Sequence, residues 1–354
     1  MSNRLNIFYA VQATGNGHIA RAMELLPYLE QYGNVAVFLS GSNSNLDAAL
    51  PTKFRSKGIS LFYGNRGGLN YWKMWQELNI SRIYKEAKAL PVEQYDVVIN
   101  DFDSITAMAC KLKNVPSINF GHQASFQSNK TPRPDKKDLM GELVLRHYAK
   151  AESYIGLHFK QYDNFIFSPI IKDDILKADV SNKGHISVYL SHYSDDVVMQ
   201  SLQGCKDVQF EVFSKTKKQV EVIGNITFLP IDNKAFNNSM MHCHGVITGA
   251  GFETPSEALY MGKQLLCLPI RGQYEQLCNA AALQDFKVPI VDKLTPNFHL
   301  QITDWLTNTQ QTQLQLTNST YEIVQQVIEK ARNMQHTKAT KEALLSEEDF
   351  LVMG

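Results

Sequence analysis

The chain has 354 residues, enough for two domains that each bury a core. Hydrophobic residues make up 44% and charged residues 20%, a composition typical of globular proteins. The 35 basic and 35 acidic residues balance, so net charge gives no argument for binding nucleic acid or an acidic membrane surface. No apolar run approaches the roughly 18 residues of a membrane-spanning helix, and the first residues lack the pattern of a signal peptide.

Strand-like and helix-like segments alternate along the chain, which predicts βα units and parallel sheets. In the first half the strand-like segments are LNIFYAV, NVAVFLS, ISLFY, DVVIN, SINF and SYIGLHF. Helical patterns lie between them, at residues 18–31, 72–90 and 104–112. A polar stretch at 169–184 predicts a linker.

The second half restarts with the strand-like segments HISVYLS, VQFEVFS, NITFLP, GVIT, QLLCLP and VPIV. A helical tail follows at about residues 310–345. We therefore predict an α/β protein with an N-terminal domain at 1–168 and a second domain at 185–330. Residues 331–354 form a C-terminal helix and tail.

In the first half, a turn with Gly15 and Gly17 joins the first strand to a helix that begins near His18. Gly15-x-Gly17-x-x-Ala20 also fits a dinucleotide-binding fingerprint, which needs an acid near the end of the second strand. That strand ends in FLSGSNSN, with no carboxylate before Asp47, so a nicotinamide enzyme is disfavoured. The helix dipole disfavours protonation of a histidine in the first turn, which suits a general base.

Two further polar clusters follow strands of the first half. Asp101-Phe102-Asp103 comes directly after DVVIN, where Asp103 or Ser104 is also suited to cap the next helix. Gly121-His122-Gln123 follows the next strand.

The most informative stretch runs from Val246 to Ala280. It reads as a strand, a glycine-bearing turn, a helix starting near Thr254, a strand ending in Pro269, and a polar loop. Glycines at 249 and 251 let a ligand approach the backbone, and the helix points its positive end at the same place. The pattern predicts a diphosphate site at the carboxyl edge of a parallel sheet.

This stretch resembles the donor half of inverting nucleotide-sugar glycosyltransferases of the GT-B fold. The families are the lipid-linked peptidoglycan N-acetylglucosaminyl transferases and the UDP-glycosyltransferases. Their glycine-rich turn, early helical Glu, acid-Gln pair and Asn-Ala pair match Gly251, Glu257, Glu275-Gln276 and Asn279-Ala280. Their first-domain Gly-rich loop followed by His matches Gly15–His18. The resemblance implies two Rossmann-like domains with a cleft between them, and a C-terminal helix that crosses back to the first.

The resemblance also implies roles on the acceptor side. His18 would remove the acceptor proton and Asp101 would orient it, with Asp103 as a fallback. His122 and Gln123 would face the acceptor. The choice of base stays open between His18, Asp101 and His122.

On the donor side, Glu257 would accept hydrogen bonds from the ribose and Ile231 would contact the base through its backbone. Glu275 and Gln276 would read sugar hydroxyls, with Asn279 supporting that loop. The diphosphate would be held by Gly17, Gly249, Ala250, Gly251, Phe252 and Thr254. UDP-glycosyltransferases carry a phosphate-binding His where this chain has Gly249. Backbone groups, Thr254 or an arginine such as Arg271 must replace it.

We therefore expect transfer of a sugar, most simply UDP-linked, to an acceptor hydroxyl with inversion and without a metal or other cofactor. No D-x-D pair accompanies the diphosphate turn, and adjacent residues in His242-Cys243-His244 alternate in direction, which disfavours a shared ion. The alternatives are a nucleotide-sugar 2-epimerase of the same fold or a non-catalytic sugar-nucleotide-binding protein.

The acceptor stays open between a glycan, a lipid-linked sugar and a small molecule. Loops at Gly64–Trp75 and Asn129–Lys137 would lie on its side of the cleft. The odd set of five cysteines without C-x-x-C spacing predicts reduced thiols and a cytoplasmic protein. A peripheral contact with the inner face of the membrane is also open.

Overall fold

A computed structural model describes residues 4–13, 16–41, 50–58 and 79–352. Gly15, the predicted strand ISLFY and the predicted loop Gly64–Trp75 lie outside these residues.

The first sheet is all parallel, with seven strands in the order β3-β2-β1-β4-β5-β6-β7. The strands are β1 (Leu5–Gln12), β2 (Gly33–Ser40), β3 (Thr52–Ser56), β4 (Val97–Asp101), β5 (Ile118–Gly121), β6 (Ser153–Leu157) and β7 (Ile166–Phe167). The helices of this half are α1 (Asn16–Leu29), α2 (Ile80–Ala89), α3 (Ser104–Lys113) and α4 (Leu139–His147). The central strand β1 is buried from Ile7 to its end, which explains its continuous apolar run.

The second sheet has six strands in the order β10-β11-β9-β8-β12-β13, with β10 antiparallel to β11 and the other pairs parallel. The strands are β8 (Ile186–Tyr189), β9 (Phe210–Ser214), β10 (Glu221–Ile223), β11 (Ile226–Pro230), β12 (Gly245–Thr248) and β13 (Gln264–Cys267). The remaining helices are α5 (Asp173–Leu176), α6 (Asp195–Leu202), α7 (Asn233–His242), α8 (Glu253–Tyr260), α9 (Tyr274–Leu283), α10 (Phe298–Asn308) and α11 (Thr320–Val352).

Both sheets have the doubly wound strand order of Rossmann-like folds, which confirms the predicted α/β class. The order reverses between β1 and β4 in the first sheet and between β8 and β12 in the second. Ligands of open α/β sheets bind outside the carboxyl ends of the strands at such points. The predicted linker falls between the last strand of one sheet and the first strand of the other. We call the parts on either side of it the first and second halves; the predicted domain limits stay a prediction.

Helix α11 returns to the first half. Its apolar residues Ile323, Val324, Val327, Ile328 and Ala331 are buried in one core with residues of β1 and α1. The helix begins at Thr320, later than the predicted 310. Ser319 explains the difference, because its hydroxyl and the Glu322 carboxylate accept each other's backbone N–H groups in a capping box.

Three strands lie outside the predicted segments, and one predicted strand does not form. β3 alternates between partly buried and exposed residues, and every residue of β10 is exposed. Such short, charged edge strands lack an apolar signal. β7 has two residues, too few to give a pattern. The predicted strand VPIV contributes an isolated bridge between Cys267 and Ile290.

Candidate active site

His18 and Asp101 meet at the switch point of the first sheet. His18 lies in the first turn of α1, directly after β1, and Asp101 is the last residue of the neighbouring β4. The distance from His18 Nδ1 to Asp101 Oδ1 is 2.8 Å. The Asp101 side chain is fully buried and that of His18 is 12% exposed. A carboxylate can only accept, so Nδ1–H donates to it and the lone pair of the ring lies on Nε2.

Arg21, which sequence analysis overlooked, completes this cluster. It lies one helical turn after His18, and its guanidinium donates from Nε (3.1 Å) and Nη2 (2.8 Å) to the two oxygens of Asp101. Burial would raise the pKa of Asp101, but Arg21 and then His18 outweigh burial and hold it below its ordinary value. Asp101 is therefore ionised at neutral pH. The i, i+3 spacing from His18 is the signal that could have revealed Arg21.

The backbone around this ion pair is specialised. Gly121 ends β5 with a φ of 121°, and a Cβ there would lie 2.8 Å from Asp101 Oδ1. Phe102 has a φ of 59°, a left-handed conformation between β4 and α3. Two residues after Asp101, the Asp103 carboxylate accepts from the Thr106 N–H at 2.6 Å and caps α3. The two acids thus have different partners.

Glu253, also overlooked, brings the second half to the same cluster. It is the first residue of α8, and its Oε1 accepts from Arg21 Nη1 at 2.6 Å. The carboxylate lies over Gly17, where an added Cβ would be 2.6 Å from Oε2. Gly17 is therefore positioned beside the N-terminus of α8.

Gln123 connects the two halves on the other side of His18. Its Nε2 lies 3.5 Å from His18 Nε2 and donates to both oxygens of Glu275 at 3.1 Å. Its Oε1 is buried without a partner among the described residues. Gln123 therefore offers a free acceptor next to His18 Nε2.

His122 is 1% exposed and contacts the second half. Its ring stacks on Phe252 with centroids 4.0 Å apart and planes 7° from parallel. Nε2 lies 2.7 Å from Asn279 Oδ1 and Nδ1 lies 3.0 Å from the Leu157 carbonyl. Burial lowers the pKa of His122, while Glu275 acts in the opposite direction. Both ring nitrogens face protein oxygens in a buried position, so neither is open to a substrate.

The predicted diphosphate turn lies between β12 and α8. Gly249 and Ala250 follow the strand, the Ala250 carbonyl accepts from Asn279 Nδ2 at 3.1 Å, and a Cβ on Gly251 would meet nothing within 4 Å. Helix α8 begins at Glu253, with no side-chain cap, and Thr254 is its second residue. Its N–H groups and dipole are thus available to an anion.

The segment predicted as a polar loop is the start of helix α9. Glu275, Gln276 and Asn279 all lie within Tyr274–Leu283, whose buried residues Tyr274, Cys278 and Ala282 recur every fourth position. This helical period explains the correction. The Gln276 Oε1 accepts from the Ile270 N–H at 2.9 Å, which anchors the preceding segment to the helix.

The remaining predicted donor residues are dispersed around the second switch point. Glu257 is 2% exposed and pairs with Lys172 Nζ at 3.1 Å. Burial raises the pKa of Glu257, against the lowering effect of Lys172. Ile231 directly follows β11 and is half-buried, whereas Arg271 is exposed. Lys172, from the segment between the sheets, was not predicted.

The His242–His244 segment does not gather around one point. His242 Nδ1 bonds the Ser181 hydroxyl, His244 Nδ1 accepts from Asn182 Nδ2, and Cys243 Sγ contacts the Met240 carbonyl. Within the described ranges, no three His, Cys, Asp or Glu side chains are grouped as metal ligands would be. None of the helices among the described residues is long and apolar enough to cross a membrane.

Comparison with known proteins identifies the family. The profile described as glycosyl transferase family 1 matches residues 5–308. No curated protein sequence matches the chain.

Solved structures show the same fold at low identity. MurG of Acinetobacter baumannii is 15% identical, with a TM-score of 0.57 over 92% of this chain and 99% of that one. UGT89C1 of Arabidopsis thaliana, complexed with UDP, is 11% identical, with a TM-score of 0.56 over 92% and 94%. UGT2 of Phytolacca americana, complexed with UDP-2fluoro-glucose and pterostilbene, is 14% identical, with a TM-score of 0.58 over 87% and 91%.

The chain belongs to glycosyl transferase family 1 and has the GT-B fold, as the resemblance predicted. It is a glycosyltransferase.

Proposed function

We propose that this glycosyltransferase moves a sugar from a nucleotide-sugar donor, most simply UDP-linked, to an acceptor hydroxyl with inversion at the anomeric carbon. His18 is the base, Asp101 orients it, and no metal takes part. The observation that carries the proposal is the 2.8 Å pair between His18 Nδ1 and the buried Asp101. It lies at a sheet switch point, with His18 Nε2 3.5 Å from Gln123, which itself binds Glu275 of the second half.

The reaction needs one proton acceptor and one stabilised leaving group. As the acceptor oxygen attacks the anomeric carbon, its proton passes to His18 Nε2 and the imidazole becomes a cation beside Asp101. The bond between the anomeric carbon and the diphosphate breaks, and its electron pair stays on the diphosphate. A single displacement of this kind inverts the anomeric centre. His122 is a weaker candidate base, because it is buried and both of its nitrogens face protein atoms.

The leaving diphosphate would lie at the turn from Gly249 to Thr254, with Gly17 facing it. The support is the uncapped N-terminus of α8 and the open space at Gly251. Backbone N–H groups and the helix dipole stabilise developing negative charge without a bound ion. Because Arg271 is exposed, we assign it no part in this site.

The ribose and the sugar would be read by acids of the second half. Glu257 lies one helical turn into α8 and pairs with Lys172. Its carboxylate would accept hydrogen bonds from both hydroxyls of a vicinal diol. Ile231 follows β11 at the same edge and would meet the base through its backbone. Glu275 and Gln276 would accept hydrogen bonds from hydroxyls of the sugar. Asn279 would hold the diphosphate turn through its hydrogen bond to the Ala250 carbonyl.

The acceptor enters from the first half, where Gln123 has its free carbonyl. We further propose that helix α4 rests on an anionic membrane at the inner face, which would suit a lipid-linked acceptor. Three large apolar side chains of this helix, Leu139, Met140 and Leu143, are 50–81% exposed. The exposed Lys136 and Lys137, flanked by Asp135 and Asp138, precede them, and apolar side chains next to lysines suit a lipid interface. The five cysteines, all buried free thiols, fit a cytoplasmic setting.

Binding of the donor is tested without knowledge of the acceptor. A panel of UDP-, dTDP- and GDP-sugars is added to the protein, and the shift of the thermal midpoint is measured. A ligand at a hundred times its dissociation constant stabilises by about 2.7 kcal/mol, a readily visible shift. If none of these nucleotide sugars raises the thermal midpoint, the proposal that the protein binds a nucleotide-sugar donor is wrong.

The base is tested with His18→Ala. Release of UDP from the best donor should fall by roughly 10²–10⁴-fold, the usual contribution of a positioned base. UDP affinity, measured by calorimetry on the same preparation, should stay nearly unchanged, because the donor lies on the other half. A near-normal rate would move the role to Asp101 or His122.

A further inference from the structure

A buried arginine stands directly behind the proposed base. We propose that Arg21 is a positioning residue: it fixes the orientation of the His18–Asp101 pair and places a fixed positive charge beside the ring of His18, and Glu253 connects this assembly to the donor half. The inference deepens the proposed function and rests on it for its catalytic meaning.

The geometry of the guanidinium supports the first part. Arg21 donates to both carboxylate oxygens of Asp101, from Nε at 3.1 Å to Oδ2 and from Nη2 at 2.8 Å to Oδ1. Such a planar fork holds a carboxylate in one plane, which a lysine ammonium does not. The same Oδ1 accepts from His18 Nδ1 at 2.8 Å. The plane of the carboxylate, and through it the direction of the imidazole, is therefore set by Arg21.

The charge of Arg21 acts on the protonation of His18. Its Nη2 lies 2.9 Å from His18 Nδ1, and both nitrogens donate to Asp101 Oδ1, so a positive charge on the ring would lie beside a fixed cation. An imidazole beside a lone buried carboxylate is strongly drawn to protonate, whereas a carboxylate already paired with arginine attracts the proton less. A ring that stays neutral keeps Nε2 free to accept a proton from the substrate.

The charged and titratable groups around His18 come from both halves. Arg21 shares its helix and Asp101 ends β4. Glu253 reaches the cluster from α8, while Glu275, from α9, acts through Gln123. His122 follows β5 with a lowered pKa caused mainly by burial, so it adds no charge at neutral pH.

Glu253 makes the assembly depend on the donor half. Its Oε1 takes the remaining arm of the guanidinium, Nη1, at 2.6 Å. The acid is the first residue of α8, the helix whose N-terminus forms the proposed diphosphate site. Two consecutive ion pairs, Glu253–Arg21 and Arg21–Asp101, therefore connect α8 to the partner of the proposed base.

The test reads His18 directly, by NMR of the histidine ring nitrogens across a pH titration. The signal is assigned from its loss in His18→Gln. Arg21→Gln should raise the titration midpoint of His18 by about one pH unit, as expected when the carboxylate loses its competing cation. Glu253→Gln should move the midpoint in the opposite direction by a smaller amount, because it removes a negative charge. Arg21→Lys should keep the midpoint near that of the parent protein.

A structural role alone would not produce opposite shifts from these substitutions. Should Arg21→Gln fail to fold, Glu253→Gln still decides, since its side chain is 28% exposed and its loss leaves the Asp101 pair intact. An unchanged His18 midpoint in every folded variant would overturn the inference. The readout needs neither donor nor acceptor, so a failure of the proposed reaction would appear separately, as absent nucleotide-sugar binding.

Where UDP release is measurable, the same variants should change its pH profile. The pH below which the rate of UDP release falls should be higher in Arg21→Gln and lower in Glu253→Gln than in the parent protein. A uniform loss of rate with fixed limbs would mean that Arg21 only maintains the fold.

Discussion

Replacing Asp101 by Asn should impair both stability and turnover. The carboxylate accepts from His18 Nδ1 and from two nitrogens of Arg21 while fully buried. An asparagine keeps one oxygen but presents an NH₂ group in place of the other, and that group would face N–H donors. The substitution also leaves the guanidinium with Glu253 as its remaining counter-ion among the described partners.

The cost can be estimated from these contacts. Breaking a buried ion pair costs about 3–5 kcal/mol, and Glu253 keeps the value near the lower end, at about 3 kcal/mol. For a chain of 354 residues, with an unfolding entropy of about 2.1 cal/mol/K per residue, that loss corresponds to a fall of roughly 4 °C in the thermal midpoint. Turnover should fall by roughly 10²–10⁴-fold, because the imidazole loses its orientation.

Asp103→Asn is the matched control. Asp103 is also buried, two residues away, but it caps α3 and Asn is an equally good capping residue. Asp103→Asn should lower the free energy of unfolding by less than about 1 kcal/mol. Urea unfolding of both variants, with UDP release on the same samples, decides the matter. Equal losses in the two variants would refute the assignment of Asp101 to a buried ion pair with His18 and Arg21.

Further outcomes follow from the same contacts. The folded pKa of Asp101 is depressed, so its contribution to stability is present above its ordinary pKa of 3.8 and is lost as pH falls through the folded value; unfolding free energy should depend less on pH in this acid range for Asp101→Asn than for the parent. Glu257→Ala should weaken UDP binding by roughly 1–3 kcal/mol in calorimetry, the loss of a charge-assisted hydrogen bond; unchanged affinity would place the ribose elsewhere. Transfer should persist in excess EDTA, and activity abolished by the chelator and restored by magnesium or manganese would contradict the metal-free mechanism. Leu139→Glu should reduce sedimentation with vesicles rich in anionic phospholipid, and equal sedimentation of parent and variant would exclude α4 from membrane contact.

The sequence was sufficient for the fold class, and its resemblance to the GT-B families paired His18 with Asp101. Asp101 ends β4 and His18 lies in the first turn of the helix after β1, and the carboxyl ends of parallel strands meet at one sheet edge. Arg21 was missed because an arginine on an amphipathic helix is usually solvated. Its burial depends on Asp101, 80 residues away, and on Glu253 across the cleft. Lys172 beside Glu257 was missed because a linker residue has no periodic pattern that indicates its partner.

The start of α9 illustrates a different limit. Its sequence, YEQLCNAAAL, combines polar residues with small ones, and the polar residues suggested a loop. Local propensity nevertheless favours a helix, because Leu, Ala, Glu and Gln are strong helix formers. Packing supports it, since Tyr274 and Cys278 are buried against the first half and the Tyr274 hydroxyl donates to Glu142 at 2.7 Å.

The contact of His122 with Phe252 and Asn279 has a consequence for engineering. Chimeric glycosyltransferases are assembled by joining the amino-terminal part of one enzyme to the carboxyl-terminal part of another. In this protein the stack at 4.0 Å and the chain from His122 through Asn279 to the Ala250 carbonyl cross that junction. A recipient that contributes a small apolar residue at position 122 would leave the Asn279 amide without its partner and a space beside Phe252. Exchange of donor preference by recombination should therefore succeed when the amino-terminal part carries a histidine at position 122.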